Sequence, residues 1–306
     1  MVHKRRKSWL DIAKGITIVL MVLGHTSIPV VVSNFIYNFH MPLFFIASGY
    51  VGHYEKYTLG EYIKHKFYTI MLPFLSYSVF VILLQYGLGT MDIIKFMKTG
   101  WEGYALWFIP VLYFSSILVV SVYFIKKTIV RYIIIFGGLL IGYCLCYYAV
   151  SLPWNLSSIP YATFLIFIGG QLRSFSKMIE DASKCSWKFS LCFVVTVICS
   201  QTGRLDLAWN NILPIFPLTI GAIVGTLMVF VLSVMIEKYT KWISLILQSV
   251  GKETFIVVAL SQITIMYVNH FFIMNTLSKY ILLVIVLCIW KYVKDYINRM
   301  VKIKIL

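Results

Sequence analysis

Charge is what this sequence has least of. Only 12% of its 306 residues are charged, and only 11 are acidic, where a soluble domain carries about 25% charged residues. That deficit excludes a water-facing surface on a chain of this size, and with it a soluble helical protein built around a large core. Long polar connections are missing too: no loop exceeds about 20 residues, so no soluble domain is expected. There is no low-complexity tract and no detectable repeat. Cysteines are few, and none falls in a CxxC or Cys/His metal pattern. Cys144, Cys146, Cys185, Cys192, Cys199 and Cys288 lie in or beside apolar runs and read as small packing residues. No metal site is expected.

What fills the chain instead is hydrophobic sequence, 60% of it. Apolar runs near the roughly 20 residues needed to cross a bilayer recur from end to end. They predict ten spans, at 10–31, 34–53, 68–88, 104–125, 131–149, 157–173, 186–202, 212–236, 252–273 and 278–296. Segments 58–67 and 238–251 read as short interfacial helices. The expected fold is an all-α, polytopic membrane helix bundle of about ten transmembrane helices, a single domain over 1–306 with both termini cytoplasmic. The basic start, Lys4 to Lys7, resembles a signal peptide. The run after it contains Asp11, Lys14 and His25 and offers no small-x-small cleavage site, so an uncleaved first helix is expected.

The net charge of +16 suggests nucleic acid in a soluble protein. Here no basic stripe interleaves with aromatics, so no nucleic-acid partner is expected. With the N-terminus inside, the ten-span map puts 23 basic residues in inner segments. Only Lys95, Lys98, Arg204 and Lys279, of the 27, fall in outer segments. That asymmetry is the positive-inside pattern of a bacterial cytoplasmic membrane protein.

Ionisable residues inside a membrane are costly and therefore functional candidates. The first two spans hold the densest set, Asp11, Lys14, His25 and His40. Lys14 and His25 are 11 residues apart, about three helical turns and about 16 Å along one face. Asp11, three residues before Lys14, neighbours that face. Measured from Leu10, His25 sits about 22 Å up, about 8 Å short of the outer edge of a roughly 30 Å core. His40, on a helix descending from Asn34, lies about 9 Å below the same edge, so the two histidines are expected at one depth. A neutral imidazole suits general-base work near pH 7; a histidine hydrogen-bonded inside the bundle is the plainer alternative. For Lys14 the plainer alternative is snorkelling to lipid phosphate.

The segment Leu10-Asp11-Ile12-Ala13-Lys14-Gly15 with Leu23-Gly24-His25, and Phe39-His40-Met41-Pro42-Leu43-Phe44-Phe45 running into Ser48-Gly49-Tyr50, resemble the opening of the membrane acyltransferase-3 family. Lys64-His65-Lys66 before Leu72-Pro73-Phe74, Leu106-Trp107-Phe108-Ile109-Pro110, Phe167 to Arg173 and Gly251-Lys252-Glu253-Thr254 extend the resemblance to about residue 262. The first 75 residues carry its specificity, and the short, stand-alone branch that includes fucose 4-O-acetylases is the most similar.

The resemblance implies a ten-helix core that takes an acyl group from cytoplasmic acyl-CoA and delivers it to a sugar hydroxyl at the outer leaflet. His25 stands where the family has its essential histidine, and Lys14 where it usually has arginine; lysine keeps the charge but not the bidentate phosphate grip. Two further departures are Thr69 and Ile70, where relatives often have arginine, and Ser261-Gln262, where many have a leucine–histidine pair.

Together these imply donor contacts from Lys14, Lys64, His65 and Lys66, a donor arm lying along the first helix, and His25 as general base. Asp11, His40 and Trp107 are the further candidates for substrate contact. Asp11 either orders Lys14 or only pairs with it, and Tyr50, Trp107 and Tyr161 either line the path or anchor helix ends at the interface. Ser48 and Gly49 read as close-packing residues. No cofactor is expected to be bound permanently; acetyl-CoA, or another acyl-CoA, enters as donor. Expected partners are the surface polysaccharide or its lipid-linked precursor, membrane lipid and glycan-assembly proteins. A transporter or flippase of a glycolipid or small solute shares the spans, intramembrane charges and glycine-broken helices. A non-catalytic protein that presents substrate to a separate transferase is the third reading.

Overall fold

A computed structural model of the chain describes residues 7–25, 28–54, 57–89, 92–101, 104–181, 185–271 and 284–296 without 287 and 294. Among these the secondary structure is helical, apart from one isolated antiparallel bridge, Asp206 to Asn211. The helices are α1 Ser8–Gly24, α2 Val30–Val51, α3 Leu59–Lys66, α4 Leu72–Gly87, α5 Ile93–Thr99, α6 Phe108–Tyr123, α7 Thr128–Tyr147, α8 Ile159–Leu172, α9 Ser176–Glu180, α10 Cys185–Ser200, α11 Ile215–Tyr239, α12 Lys241–Lys252 and α13 Thr254–Phe271.

Five are long and apolar enough to cross a bilayer: Val30–Val51, Leu59–Gly87, Ala105–Tyr123, Thr128–Tyr147 and Ile215–Tyr239. A sixth counts if α12 and α13, bent by 76° at their junction, form one broken span. Helices α1, α8 and α10, at 17, 14 and 16 residues, are apolar but fall short of a straight crossing at 1.5 Å per residue. Of the predicted span 278–296, residues 278–283, 287 and 294 lie outside the described residues, as do Lys4, Arg5, Arg6, Lys56, Lys184, Lys279, Lys294, Arg299, Lys302 and Lys304 of the charge map.

Local chemistry explains the main breaks. Segment 58–67 is not detached from the span after it. The α3 helix begins on a capping box, Thr58 with Glu61, and runs through a π-turn at Phe67–Met71 into α4, giving one 29-residue helix. Pro73 sits just past that wide turn, where the α-helical ladder is already interrupted and its missing N–H is tolerated. At the other end, Trp242, Leu245 and Ile246 leave α12 with an exposed apolar face, as an interfacial helix requires.

The packed centre is α1, α2, α6, α8 and α11, with Ile12, Phe39, Phe45, Val111, Leu165 and Phe230 fully buried. Small residues set how closely the backbones approach. A Cβ on Gly251 would stand 1.8 Å from the Asp11 carbonyl oxygen, and one on Gly15 would stand 2.1 Å from that of Leu247. So α12 crosses α1 in backbone contact. Gly49 and Gly169 do the same between α2 and α8, meeting the carbonyls of Ile166 and Ile46 at 1.9 and 2.0 Å. Outside this centre α7 buries only Ile135 and Gly142 and exposes Ile129, Ile133, Phe136, Leu140 and Ile141. Apolar patches of that extent are rare on water-soluble monomers; they suit lipid.

Candidate functional site

The α1 helix carries Asp11 and Lys14 on its first turns and His25 just past its C-terminal end. The two ends open into separate chambers. The first, about 780 Å3, is lined by Lys7, Leu10, Asp11 and Lys14 from the start of the chain, Phe44, Ala47, Ser48, Tyr50 and Val51 of α2 and His53 beyond it, Phe108, Ile109 and Leu112 of α6, and Arg173, Lys252 and Phe255 among others. Among the described residues four of its side chains are Lys or Arg, and Asp11 is its one carboxylate. Lys14 Nζ lies 2.7 Å from Asp11 Oδ1, whose side chain is only 3% exposed, so Asp11 holds the ammonium near the wall.

Arg173 is fixed more tightly. Its guanidinium donates to the Gly52 carbonyl at 2.7 Å and meets His53 Nε2 at 3.0 Å. His53 in turn donates from Nδ1 to the Val51 carbonyl at 2.7 Å, which leaves Nε2 as the acceptor. At the rim Lys7 pairs with Glu180, which also accepts from the Tyr50 hydroxyl at 3.0 Å.

The second chamber, about 240 Å3, is lined by Met21, His25, Tyr37, His40, Met41, Tyr104, Ala105, Trp107, Gln262 and segment 204–209. His25, His40 and Trp107, singled out in the sequence, meet here. His40 is 3% exposed and donates from Nδ1 to the Ile36 carbonyl at 3.1 Å, so its neutral ring has the lone pair on Nε2. His25 Nδ1 lies 3.5 Å from Gln262 Nε2. The Gln262 amide is oriented by the Ala105 N–H, which donates to Oε1; the NH2 group therefore faces His25.

The roof is Arg204, whose guanidinium stacks 3.6 Å from the Tyr37 ring centre and pairs with Asp206 at 3.0 Å. Burial pushes the Asp206 carboxyl up from its ordinary range, against the downward pull of Arg204.

The chambers share no lining residue yet stand one helical turn apart. On α2 Met41 faces one and Phe44 the other; on α13 Gln262 and Val258 divide likewise; Trp107 and Phe108 are consecutive. Between them the ring of Phe108 contacts Phe45 at 4.9 Å and Phe44 at 5.7 Å.

Not every candidate residue joins these chambers. Lys64 and His65 are exposed on α3; His65 stacks on Tyr57 at 5.6 Å, and Lys66 lies over the Tyr62 ring at 5.5 Å. None of the three lines the chamber that holds Lys14. Tyr161 is fully buried and its hydroxyl is 3.0 Å from that of Thr219. The structure adds Arg173, His53 and Lys252 to the first chamber and Gln262, Tyr37, Arg204 and Asp206 to the second. Gln262 had a signal in the sequence, since it stands in the pair where relatives carry histidine.

No group of three or more His, Cys, Asp or Glu side chains among the described residues is placed to hold a metal. A family model described as an acyltransferase domain, acyltransferase-3, matches residues 7–294. No curated protein and no solved structure matches the chain. A match over nearly the whole chain, on a helical bundle with lipid-suited flanks, fixes the identity at family level: the chain belongs to the membrane acyltransferase-3 family and is a membrane acyltransferase.

Proposed function

We propose that this acyltransferase is an O-acyltransferase of the bacterial cytoplasmic membrane, with ten spans and both termini inside. It takes an acetyl group from cytoplasmic acetyl-CoA and esterifies a hydroxyl of a surface polysaccharide or its lipid-linked precursor. The observation that carries the reading is the pair of back-to-back chambers on one helix, cationic at the Lys14 end and imidazole-lined at the His25 end. Coenzyme A has anionic phosphates at one end and a thioester at the end of a flexible arm. Lys14, Arg173 and Lys252 suit the phosphates, with Arg173 best placed for bidentate contact. The arm has about 16 Å to cover between Lys14 and His25 at 1.5 Å per residue, passing the Phe44–Phe108 layer.

The acceptor hydroxyl enters from the other side. Its oxygen attacks the thioester carbonyl carbon while His25 takes the hydroxyl proton. The carbon–sulfur bond breaks, the ester forms, and the proton returns to the CoA thiolate, so imidazole is regenerated. Nδ1 suits the base role, because a contact as long as 3.5 Å to Gln262 is readily replaced by the acceptor. His40 and Trp107 contact the acceptor, and Asp11 positions Lys14.

The test is the acyl content of the native cell's surface glycans, by mass spectrometry, in wild type, a deletion strain, and the deletion strain carrying the normal gene or His25→Ala. One acetyl-sized modification should vanish on deletion and return only with the normal gene. Unchanged glycans together with a lipid-linked sugar or solute accumulating on one side of the membrane would replace catalysis by transport.

A further inference from the structure

The roof of the His25 chamber does more than cover it. Apart from the two imidazoles, Arg204 and Asp206 are the charged side chains among the described residues that line this chamber. Their side chains are 42% and 12% exposed, so both keep surface on which a ligand can be met. Each is also held from behind. The guanidinium lies 3.6 Å from the Tyr37 ring centre, and that ring meets the His40 ring edge-on at 4.6 Å, so roof, wall and floor form one stack. Asp206 Oδ1 accepts from the Ala208 N–H at 3.2 Å, and the Asp206 backbone exchanges two bonds of 2.8 Å with Asn211. Ser158 donates to the Leu207 carbonyl at 2.6 Å, and Asn155 donates to that of Ala208. The loop that carries the pair is thus pinned along its length.

Size and charge limit what fits beneath it. At about 240 Å3 the chamber is smaller than the roughly 300–1,000 Å3 that encloses a drug-sized ligand; it takes one ring of a glycan, with the rest outside. One cation beside one anion leaves the roof without net charge. An anionic group drawn to Arg204 meets the Asp206 carboxylate next to it, and a cationic group meets the converse. A hydroxyl suits both partners, because it donates and accepts. The guanidinium has five N–H donors and the carboxylate about four acceptor sites, more than their mutual bond uses. That bond spans 3.0 Å, close to the separation of two oxygens on neighbouring ring carbons.

We propose that Arg204 and Asp206 form the acceptor's specificity clamp, which grips two adjacent hydroxyls of one neutral sugar unit and turns a further hydroxyl of that ring toward His25. The inference rests on the proposed acyl transfer at His25. Asp206 accepts from one hydroxyl, and Arg204 donates to the oxygen of its neighbour. Both act by positioning; the proton moves at His25. The clamp decides two properties of the reaction, the charge of the sugar accepted and the hydroxyl that is acylated.

The experiment uses the full chain in detergent with radiolabelled acetyl-CoA. The acceptor is base-deacylated surface glycan of the native cell in two forms: one carboxyl-reduced and dephosphorylated, hence neutral, the other oxidised at its primary hydroxyls, hence acidic. Wild type should favour the neutral form by about tenfold in kcat/KM, the size of one hydrogen bond to a charged group. Asp206→Asn still accepts from the Ala208 N–H but turns an NH2 group toward Arg204, so a merely structural role survives it. It should lose about tenfold on the neutral form and bring the two forms close to equal. Arg204→Lys keeps the charge but not the planar fork; NMR of its product should find acetyl spread over more than one hydroxyl of the ring, where wild type uses one. The KM for acetyl-CoA should stay unchanged in both variants. A wild-type preference for the acidic form overturns the clamp, and so does wild-type selectivity with a single acetylated position in both variants; either result leaves acyl transfer standing. Failure of wild type to acylate either form removes the transfer reading and the clamp with it.

Discussion

Gln262 is the residue most directly coupled to the proposed base. Its NH2 group faces His25 Nδ1, and so supports a neutral ring whose lone pair is on that nitrogen. Gln262→Glu keeps the shape but sets a carboxylate against the ring. The anion stabilises imidazolium, which cannot accept a proton, so turnover at pH 7 should fall by about a hundredfold, the lower end of what a general base contributes. Acetyl-CoA affinity should stay unchanged, and a variant with wild-type turnover would remove Gln262 from any role at the base. At the other end of α1, Lys14→Ala should raise the KM for acetyl-CoA by about tenfold, the worth of one charge-assisted contact. Lys14→Arg should lower it, because the guanidinium adds a second donor. Titration of acetyl-CoA at fixed acceptor reads both.

The sequence makes His25, His40, Asp11 and Lys14 visible because ionisable groups stand out against an apolar background. Arg173 and Lys252 lie at the ends of apolar runs, where a basic residue is indistinguishable from a topology signal; Gln262, being neutral, is marked only by its place in the pair where relatives carry histidine. Lys64 and Lys66 show the converse, a basic cluster near the right face that packs away from the chamber.

At the scale of elements, the crossing of α1 and α12 is held by contact that tolerates no side chain. Gly251→Leu would drive its Cβ to 1.8 Å from the Asp11 carbonyl oxygen; the helices must separate, and Asp11 and Lys14 move with them. The variant should lose thermal stability, by about 1–3 kcal/mol or more as overpacking costs, and should lose acetyl-CoA binding as well. Gly137→Ala on α7, where a Cβ meets nothing within 4 Å, should match wild type in both. Thermal unfolding of the detergent-solubilised protein, followed with and without acetyl-CoA, separates the two.

Helix positions are mostly legible from apolar runs: the expected 131–149 and 186–202 correspond to α7 at Thr128–Tyr147 and α10 at Cys185–Ser200. Joining 58–67 to the span after it was not legible, because a polar, capped first turn looks like a separate element until the π-turn is seen to carry the helix on. The pairing of Gly15 with Gly251 needs tertiary structure, since a glycine in an apolar run marks a close approach but not its partner.

On the scale of the whole molecule, the proposed transfer depends on the division into two chambers, which shields the thioester from water except where its arm passes the aromatic layer to reach His25. No single run of sequence contains this division, because the faces that create it belong to α1, α2, α6 and α13 together. The Phe108 ring is central to it, 4% exposed and packed between the two chambers on Phe44 and Phe45. Phe108→Ala removes the ring and joins the spaces, and water from the His25 chamber then reaches any thioester lying in the passage. Acetyl-CoA hydrolysis without acceptor, read as free thiol release, should rise by about tenfold or more over wild type. His25→Ala in the same background should return it to the wild-type level, because the same imidazole activates water. The truncation also costs packing, about 3–5 kcal/mol for a buried phenylalanine, so Phe108→Leu, which retains most of the volume, should leak less while remaining folded. A leak graded as alanine above leucine above phenylalanine, and dependent on His25, would make the aromatic layer a water barrier between donor and acceptor. Hydrolysis that stays at the wild-type level in a folded Phe108→Ala protein would mean that donor and acceptor are kept apart by something other than this layer.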